Sequence, residues 1–164
     1  MEKALKNKCE AVVKTLSQKG LTVATAESCT GGLISSLITS VSGASAVFGL
    51  GICSYSPEAK NQVLRVSAET LKEYGTVSEF TASEMAQNVR LIANADIGLS
   101  VTGVAGQSPS ENKPVGLVYI ALSDKNQTTV KKLNIENLGR DFIRSTAAVE
   151  VFNLLINYLQ LEED

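Results

Sequence analysis

The stretch TVATAESCTGGLISSL, residues 22–37, decides the fold class. It opens as a short apolar run. It breaks at Glu27, Ser28, Cys29, Thr30, Gly31 and Gly32, then resumes with apolar residues at helical spacing. A strand that ends in a small polar corner and passes into a helix is the building unit of an α/β domain. The corner itself reads in two ways. Either Ser28 or Thr30 simply caps the helix that follows. Or Ser28 is a nucleophile at the mouth of that helix, whose first-turn N–H groups are free to hold an oxyanion. In the second case Gly31 and Gly32 let a ligand approach the backbone closely.

Upstream, Leu5, Cys9, Val12, Val13 and Leu16 recur at helical spacing and predict a helix over 2–19, stopped by Gly20. The corner is preceded by a strand over 21–26 and followed by a helix over 30–41. Downstream, VFGLGICSY predicts a strand over 47–55, ended by Pro57. Short helices follow near 57–64 and 67–74, the second with Ser67 as N-cap. Residues 78–93 read as a longer helix and 96–102 as a strand. VGLVYIAL, residues 115–122, is nearly continuous in apolar character, the mark of a central strand covered on both faces. TTVKKLNI reads as a more exposed strand, and a long helix runs over 139–160. SDKNQ is too short for a crossover helix, so the last two strands form an antiparallel hairpin. The expected architecture is one domain over 1–164. It is a three-layer α/β/α sandwich around a mixed, mostly parallel sheet of about five strands.

The composition narrows the chemistry. Of 164 residues, 44% are hydrophobic and 20% charged, as in an ordinary globule. Fifteen basic and 17 acidic residues leave a net charge of −2 with no long run of either sign, which argues against nucleic acid as a partner. MEKALKNKCEAVVKTL lacks an apolar core for a signal peptide or membrane span, so a cytoplasmic protein without membrane attachment is expected. Three cysteines without CxxC spacing speak against a disulfide framework or a zinc site. There is no histidine. That excludes Ser-His-Asp and Cys-His chemistry within one chain, and His-based metal sites with it.

Polar groups mark three strand ends: ESCTGG, SYSPEAK and TGVAGQS. In open α/β sheets, ligands bind at the carboxyl ends of strands. A serine needs a base to act as nucleophile. Without histidine the candidates are Lys60, if burial or a nearby cation lowers its pKa, and Tyr55 as a relay beside it. The plainer reading makes Tyr55 a half-buried anchor and Lys60 a solvated surface residue. Cys29 is a rival nucleophile; Cys9 and Cys53 read as core. Arg140 and Arg144 share a helix face near its start, an arrangement suited to phosphate or equally to two surface arginines. Thr102, before Gly103, either bonds a ligand or ends a strand. Lys113 reads as solvated.

The ordered set TVATAESCTGGLISSLIT, GASAVFGLGICSYSPEAKNQVLRV, YGTVSE, SVTGVAG, KPVGLVYIAL and GRDFIR, spread over about residues 5–160, resembles the CinA C-terminal domain family, the nicotinamide-nucleotide amidohydrolases of PncC type. The resemblance implies hydrolysis of the carboxamide of nicotinamide mononucleotide, releasing ammonia, without metal or organic cofactor. Position by position it implies Ser28 as nucleophile, and Tyr55 and Lys60 as the tyrosine and lysine of the site. Substrate binding falls on Thr30, Gly31, Gly32, Thr102, Gly103, Arg140 and Arg144. It also implies an α/β/α sandwich, a nucleotide as partner, and a dimer or larger homo-oligomer. Many relatives carry a molybdopterin-binding-like domain ahead of this one; a chain starting almost at the first helix is expected to lack it. One departure stands out: Gln107 and Ser108 replace a common Pro-Gly in the loop GQSPSENKPVG. That loop motivates an alternative, a pyridine-nucleotide-binding or regulatory module with impaired catalysis.

Overall fold

The structure, a computed structural model, describes residues 2–161, with side chains from Leu5 onward. Among these residues the elements are α1 (Glu2–Lys19), β1 (Val23–Glu27), α2 (Leu33–Thr39), β2 (Phe48–Cys53), α3 (Pro57–Gln62), α4 (Ala68–Tyr74), α5 (Glu79–Ala93), β3 (Ile97–Gly103), β4 (Leu117–Ser123), β5 (Thr128–Asn134) and α6 (Arg140–Leu159). This is the order expected from the sequence. The main difference is α2, which is shorter than the expected 30–41. Gly31 and Gly32 hold φ of 60° and 93°, a left-handed backbone that delays the first helical turn to Leu33. Helices α3, α4 and α5 start where hydroxyls cap them. Ser56, Ser67 and Ser78 accept the N–H of the residue three places on, at 3.1, 3.0 and 3.1 Å.

The strands form one sheet in the order β2-β1-β3-β4-β5. β1 pairs in parallel with β2 and with β3. The β3–β4 and β4–β5 pairs are antiparallel. Four strands therefore point one way and β4 is reversed, giving the mixed, mostly parallel sheet that the short SDKNQ link required. Asp124 closes that hairpin: its Oδ1 accepts the N–H groups of Asn126 at 2.7 Å and Gln127 at 2.8 Å.

Alternate side chains of the central strands serve two cores. Val23, Leu99 and Ile120 meet α1, α2 and α6, with Phe152 and Leu155 wholly buried among them. On the other face, Ala24 and Ala26 meet Met85 and Val89 of α5. That layer is thin because its residues are small. Ala82 and Ala86 of α5 lie over β3, and Ser100 Oγ donates to the Ala82 carbonyl at 2.6 Å. A methyl added at Gly98 would overlap the Ala86 carbonyl and sit 2.8 Å from Arg90 Cβ. Among the described residues no helix is long and apolar enough to cross a membrane.

Gly98→Ala should therefore lift α5 from the sheet and lower stability by about 1–3 kcal/mol. Urea denaturation measures this, and a change within experimental error would contradict the close helix–sheet contact.

Candidate active site

The three parallel strands end level. Glu27 pairs with Cys53 on one side and with Val101 on the other. The ladder continues one residue further, with Ser28 N–H donating to the Val101 carbonyl at 3.0 Å and Ser54 N–H to the Glu27 carbonyl at 2.9 Å. Ser28, Ser54 and Thr102 thus stand side by side at the carboxyl edge. The chain then reverses through a turn closed by Gly31 N–H on the Ser28 carbonyl, at 3.1 Å.

Lys60 enters this edge from α3. Its position follows from local chemistry: Cys53 ends β2, the Ser56 cap and Pro57 start the helix at once, and Lys60 lies one turn in. Its Nζ is 2.8 Å from Ser28 Oγ and 2.7 Å from the Ser54 carbonyl. The side chain is 1% exposed, and among the described residues no carboxylate pairs with it. Burial pushes the amine down to about 8, with Cys29 and Glu111 acting weakly the other way. At pH 7 roughly one such amine in ten is neutral, against roughly one in a few thousand at the ordinary value. The ammonium donates along both lines. Once neutral, the amine has a lone pair, and the Ser28 hydroxyl becomes the donor along the same 2.8 Å line.

Ser28 faces a cleft of about 230 Å³ whose walls include Tyr55, Thr76, Gly103, Gly106, Ser108 and Arg140. Tyr55 is 64% exposed, and its hydroxyl accepts from Arg140 Nη2 at 2.7 Å. It makes no hydrogen bond to Lys60, so the expected Tyr–Lys relay is not formed; tyrosine and arginine instead join across the cleft mouth. Cys29 also borders the cleft, but burial pushes its thiol up to about 12. A thiol held so firmly protonated is a poor competitor for the nucleophile's place.

Behind the turn lies Glu27, fully buried at the end of β1. Its Oε2 accepts from Thr30 Oγ1 at 2.6 Å, Gly32 N–H at 3.0 Å and Ile34 N–H at 3.1 Å. Its Oε1 accepts from Ser35 N–H at 2.8 Å and Ser35 Oγ at 2.7 Å. The residue before α2, Gly32, offers no side-chain cap; the strand supplies one instead. Those helix N–H groups are thus consumed and not open to a substrate oxyanion, contrary to the expectation from sequence. Glu27 is not among the residues that the sequence led one to expect in the site. Its signal was an acid closing an otherwise apolar strand just before a helix.

A protein-family model, the CinA C-terminal domain, matches residues 5–159. The chain belongs to the CinA C-terminal domain family. It is 51% identical over 141 residues to a CinA-like protein of Kosmotoga olearia, a match covering 85% of this chain and 34% of that one. The crystal structure of competence/damage inducible protein CihA from Agrobacterium tumefaciens superposes with a TM-score of 0.91 at 35% identity, covering 96% of each chain. A CinA superfamily protein from Klebsiella pneumoniae superposes at 0.92 with 29% identity, covering 95% of this chain and 98% of that one. The chain spans about a third of the length of the curated relatives it matches.

In this CinA domain the other expected binding residues divide sharply. Arg140 borders the cleft. Arg144 does not: its Nη2 donates to the Thr30 carbonyl at 2.8 Å and its Nη1 lies 3.3 Å from Asp141. Thr30 is buried with its hydroxyl on Glu27. Gly31 and Gly32 serve the left-handed turn and are not among the residues bordering the cleft. Thr102 is 1% exposed and donates to the Thr76 carbonyl at 2.6 Å, so it positions a cleft wall. Gly103 does border the cleft, and a Cβ there would sit 2.6 Å from Val118 Cγ2. Cys53, expected in the core, is exposed because β2 is the sheet edge. Lys113, expected to be solvated, donates to the Tyr74 carbonyl at 2.7 Å and pairs with Glu111 at 3.2 Å. Glu111 in turn accepts from Thr76 N–H at 2.9 Å and Thr76 Oγ1 at 2.6 Å. Burial works to raise its carboxyl, but the bonds from Thr76 and Lys113 carry it below its ordinary value. The loop thus pins the wall that Thr76 forms. Among the described residues no cluster of three His, Cys, Asp or Glu is arranged to hold a metal ion.

The lowered Lys60 pKa makes the native state bind fewer protons than the unfolded chain between about pH 8 and 10.5. The penalty is full below pH 8, on the order of 3 kcal/mol, and relieved as pH rises. Lys60→Met should therefore be the more stable form at pH 7 in chemical denaturation, with its advantage shrinking by pH 9.5. A pH-independent difference would remove the case for a depressed amine.

Proposed function

We propose that this CinA domain is an amidohydrolase in which Ser28 is the nucleophile, Lys60 the base, and the carboxamide of nicotinamide mononucleotide the substrate. One observation carries the chemistry: a buried amine 2.8 Å from a cleft-facing serine in a chain without histidine. The substrate rests on the family resemblance. Neutral Nζ takes the Ser28 proton as Oγ attacks the carboxamide carbon. The resulting ammonium gives a proton to the amide nitrogen, the C–N bond breaks, and ammonia leaves. Water then attacks the Ser28 ester with Lys60 again as base, and the acid departs as Oγ regains its proton. Arg140, in the first turn of α6, is the cation for the nucleotide phosphate. Tyr55 holds that guanidinium at the cleft mouth. Arg144 acts on the nucleophile turn through Thr30.

Ser28→Ala should release no ammonia from nicotinamide mononucleotide, and Lys60→Ala should lose about 10²–10⁴-fold in kcat. Wild-type turnover by the Ser28→Ala protein would refute the mechanism. Ser108 and Ser110 on the cleft wall, in the divergent loop, favour a second reading as a nucleotide-binding module. Nucleotide binding by the wild type without ammonia release would select it.

The base must be neutral to act, so kcat/KM should rise with pH through an acid limb centred near 8. A pH–rate profile flat from 6 to 9 would take the base role from Lys60.

A further inference from the structure

We infer that Glu27 is the positioning residue of the nucleophile, holding the Ser28 turn against Lys60 by accepting hydrogen bonds from that turn and from α2 together. This rests on the reading of Ser28 as nucleophile. Glu27 is adjacent to Ser28 in sequence, and its side chain points to the helical side of the turn. Of its donors, Thr30 Oγ1 and Gly32 N–H belong to the turn, while Ile34 N–H, Ser35 N–H and Ser35 Oγ belong to α2. Every partner is a donor, so the site demands a group that only accepts. Negative charge at a helix start is also favoured by the helix dipole. The turn is gripped from the opposite side by Arg144 on the Thr30 carbonyl. The segment that carries Ser28 is therefore fixed at the strand end by Glu27 N–H and carbonyl pairing, and at residue 30 by two side chains of opposite charge.

The consequence reaches the oxyanion. With the N–H groups of Gly32, Ile34 and Ser35 taken by Glu27 and that of Gly31 by Ser28, α2 has none to offer a substrate there. The donors for a developing oxyanion therefore lie on the cleft wall and not at the start of α2.

Glu27→Gln is the informative change because it preserves shape. In either orientation its amide NH2 faces N–H or O–H donors, since both carboxylate oxygens only accept. The readout is the rate of Ser28 modification by a fluorophosphonate, in which Oγ displaces fluoride from phosphorus and Lys60 takes the serine proton. Wild type should label at Ser28 with a rate rising through about pH 8. Folded Glu27→Gln should label about 10²-fold more slowly, the cost of a misplacement of about 1 Å, and lose that pH dependence. Its kcat on nicotinamide mononucleotide should fall in parallel, with KM within about twofold of wild type, because Tyr55 and Arg140 are untouched. A folded variant with wild-type rate and pH profile overturns the inference. If the variant does not fold, Thr30→Val decides. It keeps the carboxylate on α2 but cuts its shortest tie to the turn, and an unchanged labelling rate there is equally fatal. Wild-type labelling without ammonia release refutes the substrate alone. Failure of the wild type to label at Ser28 refutes the nucleophile and this inference with it.

Discussion

An amine buried with no carboxylate paired to it among the described residues is the constraint around which the site is built. Lys60 is enclosed by the ends of β1 and β2, and two neutral oxygens receive its nitrogen. An acidic partner at that distance would stabilise the ammonium and hold the proton on. Neutral acceptors leave desolvation in command, so the amine is costly to bury and correspondingly ready to be a base. The same desolvation that makes the amine costly to bury is what the proposed chemistry would use in place of an imidazole.

Keeping that amine uncompensated requires nearby charge to be spent elsewhere. Glu27 lies one residue from Ser28, yet its carboxylate is turned to the α2 side and saturated by donors. Arg144 is turned to the Thr30 carbonyl and Asp141. Glu111 is occupied by Thr76 and Lys113. Each of these groups fixes backbone around the cleft, and Arg140 is the cation of the cleft mouth. Rigid turns and a fully hydrogen-bonded carboxylate together hold a serine hydroxyl at hydrogen-bond distance from the Lys60 amine, which is the geometry that acyl transfer needs.

Parallel pairing of β2, β1 and β3 brings this about at the level of the fold. It aligns three strand ends on one edge, so residues far apart in the chain meet there without long loops. The reversed β4 pairs with β3 as far as Gly103 and Val118, and β5 forms the far edge. Small residues on α5 and β3 keep that helix close and the edge narrow.

Period and punctuation made the elements legible. The apolar spacing of α1 and α6, the Ser67 cap and the short SDKNQ link each act within a few residues, and local backbone chemistry suffices to read them. Serine, lysine and arginine could likewise be singled out as types, because the lack of histidine left few choices. What depended on tertiary structure was the direction in which long side chains point. Tyr55 turned to Arg140 and away from Lys60, Arg144 turned inward to the turn, and Thr102 was committed to Thr76. The amino-acid sequence by itself determined the α/β order, the strand-end corner and the absence of imidazole, since these follow from residue type and near-neighbour spacing. Only the folded chain decided that Lys60 loses its water, that Glu27 takes the helix N–H groups and that Cys53 sits on an open edge. Desolvation and donor supply are set by atoms contributed from strands distant in sequence.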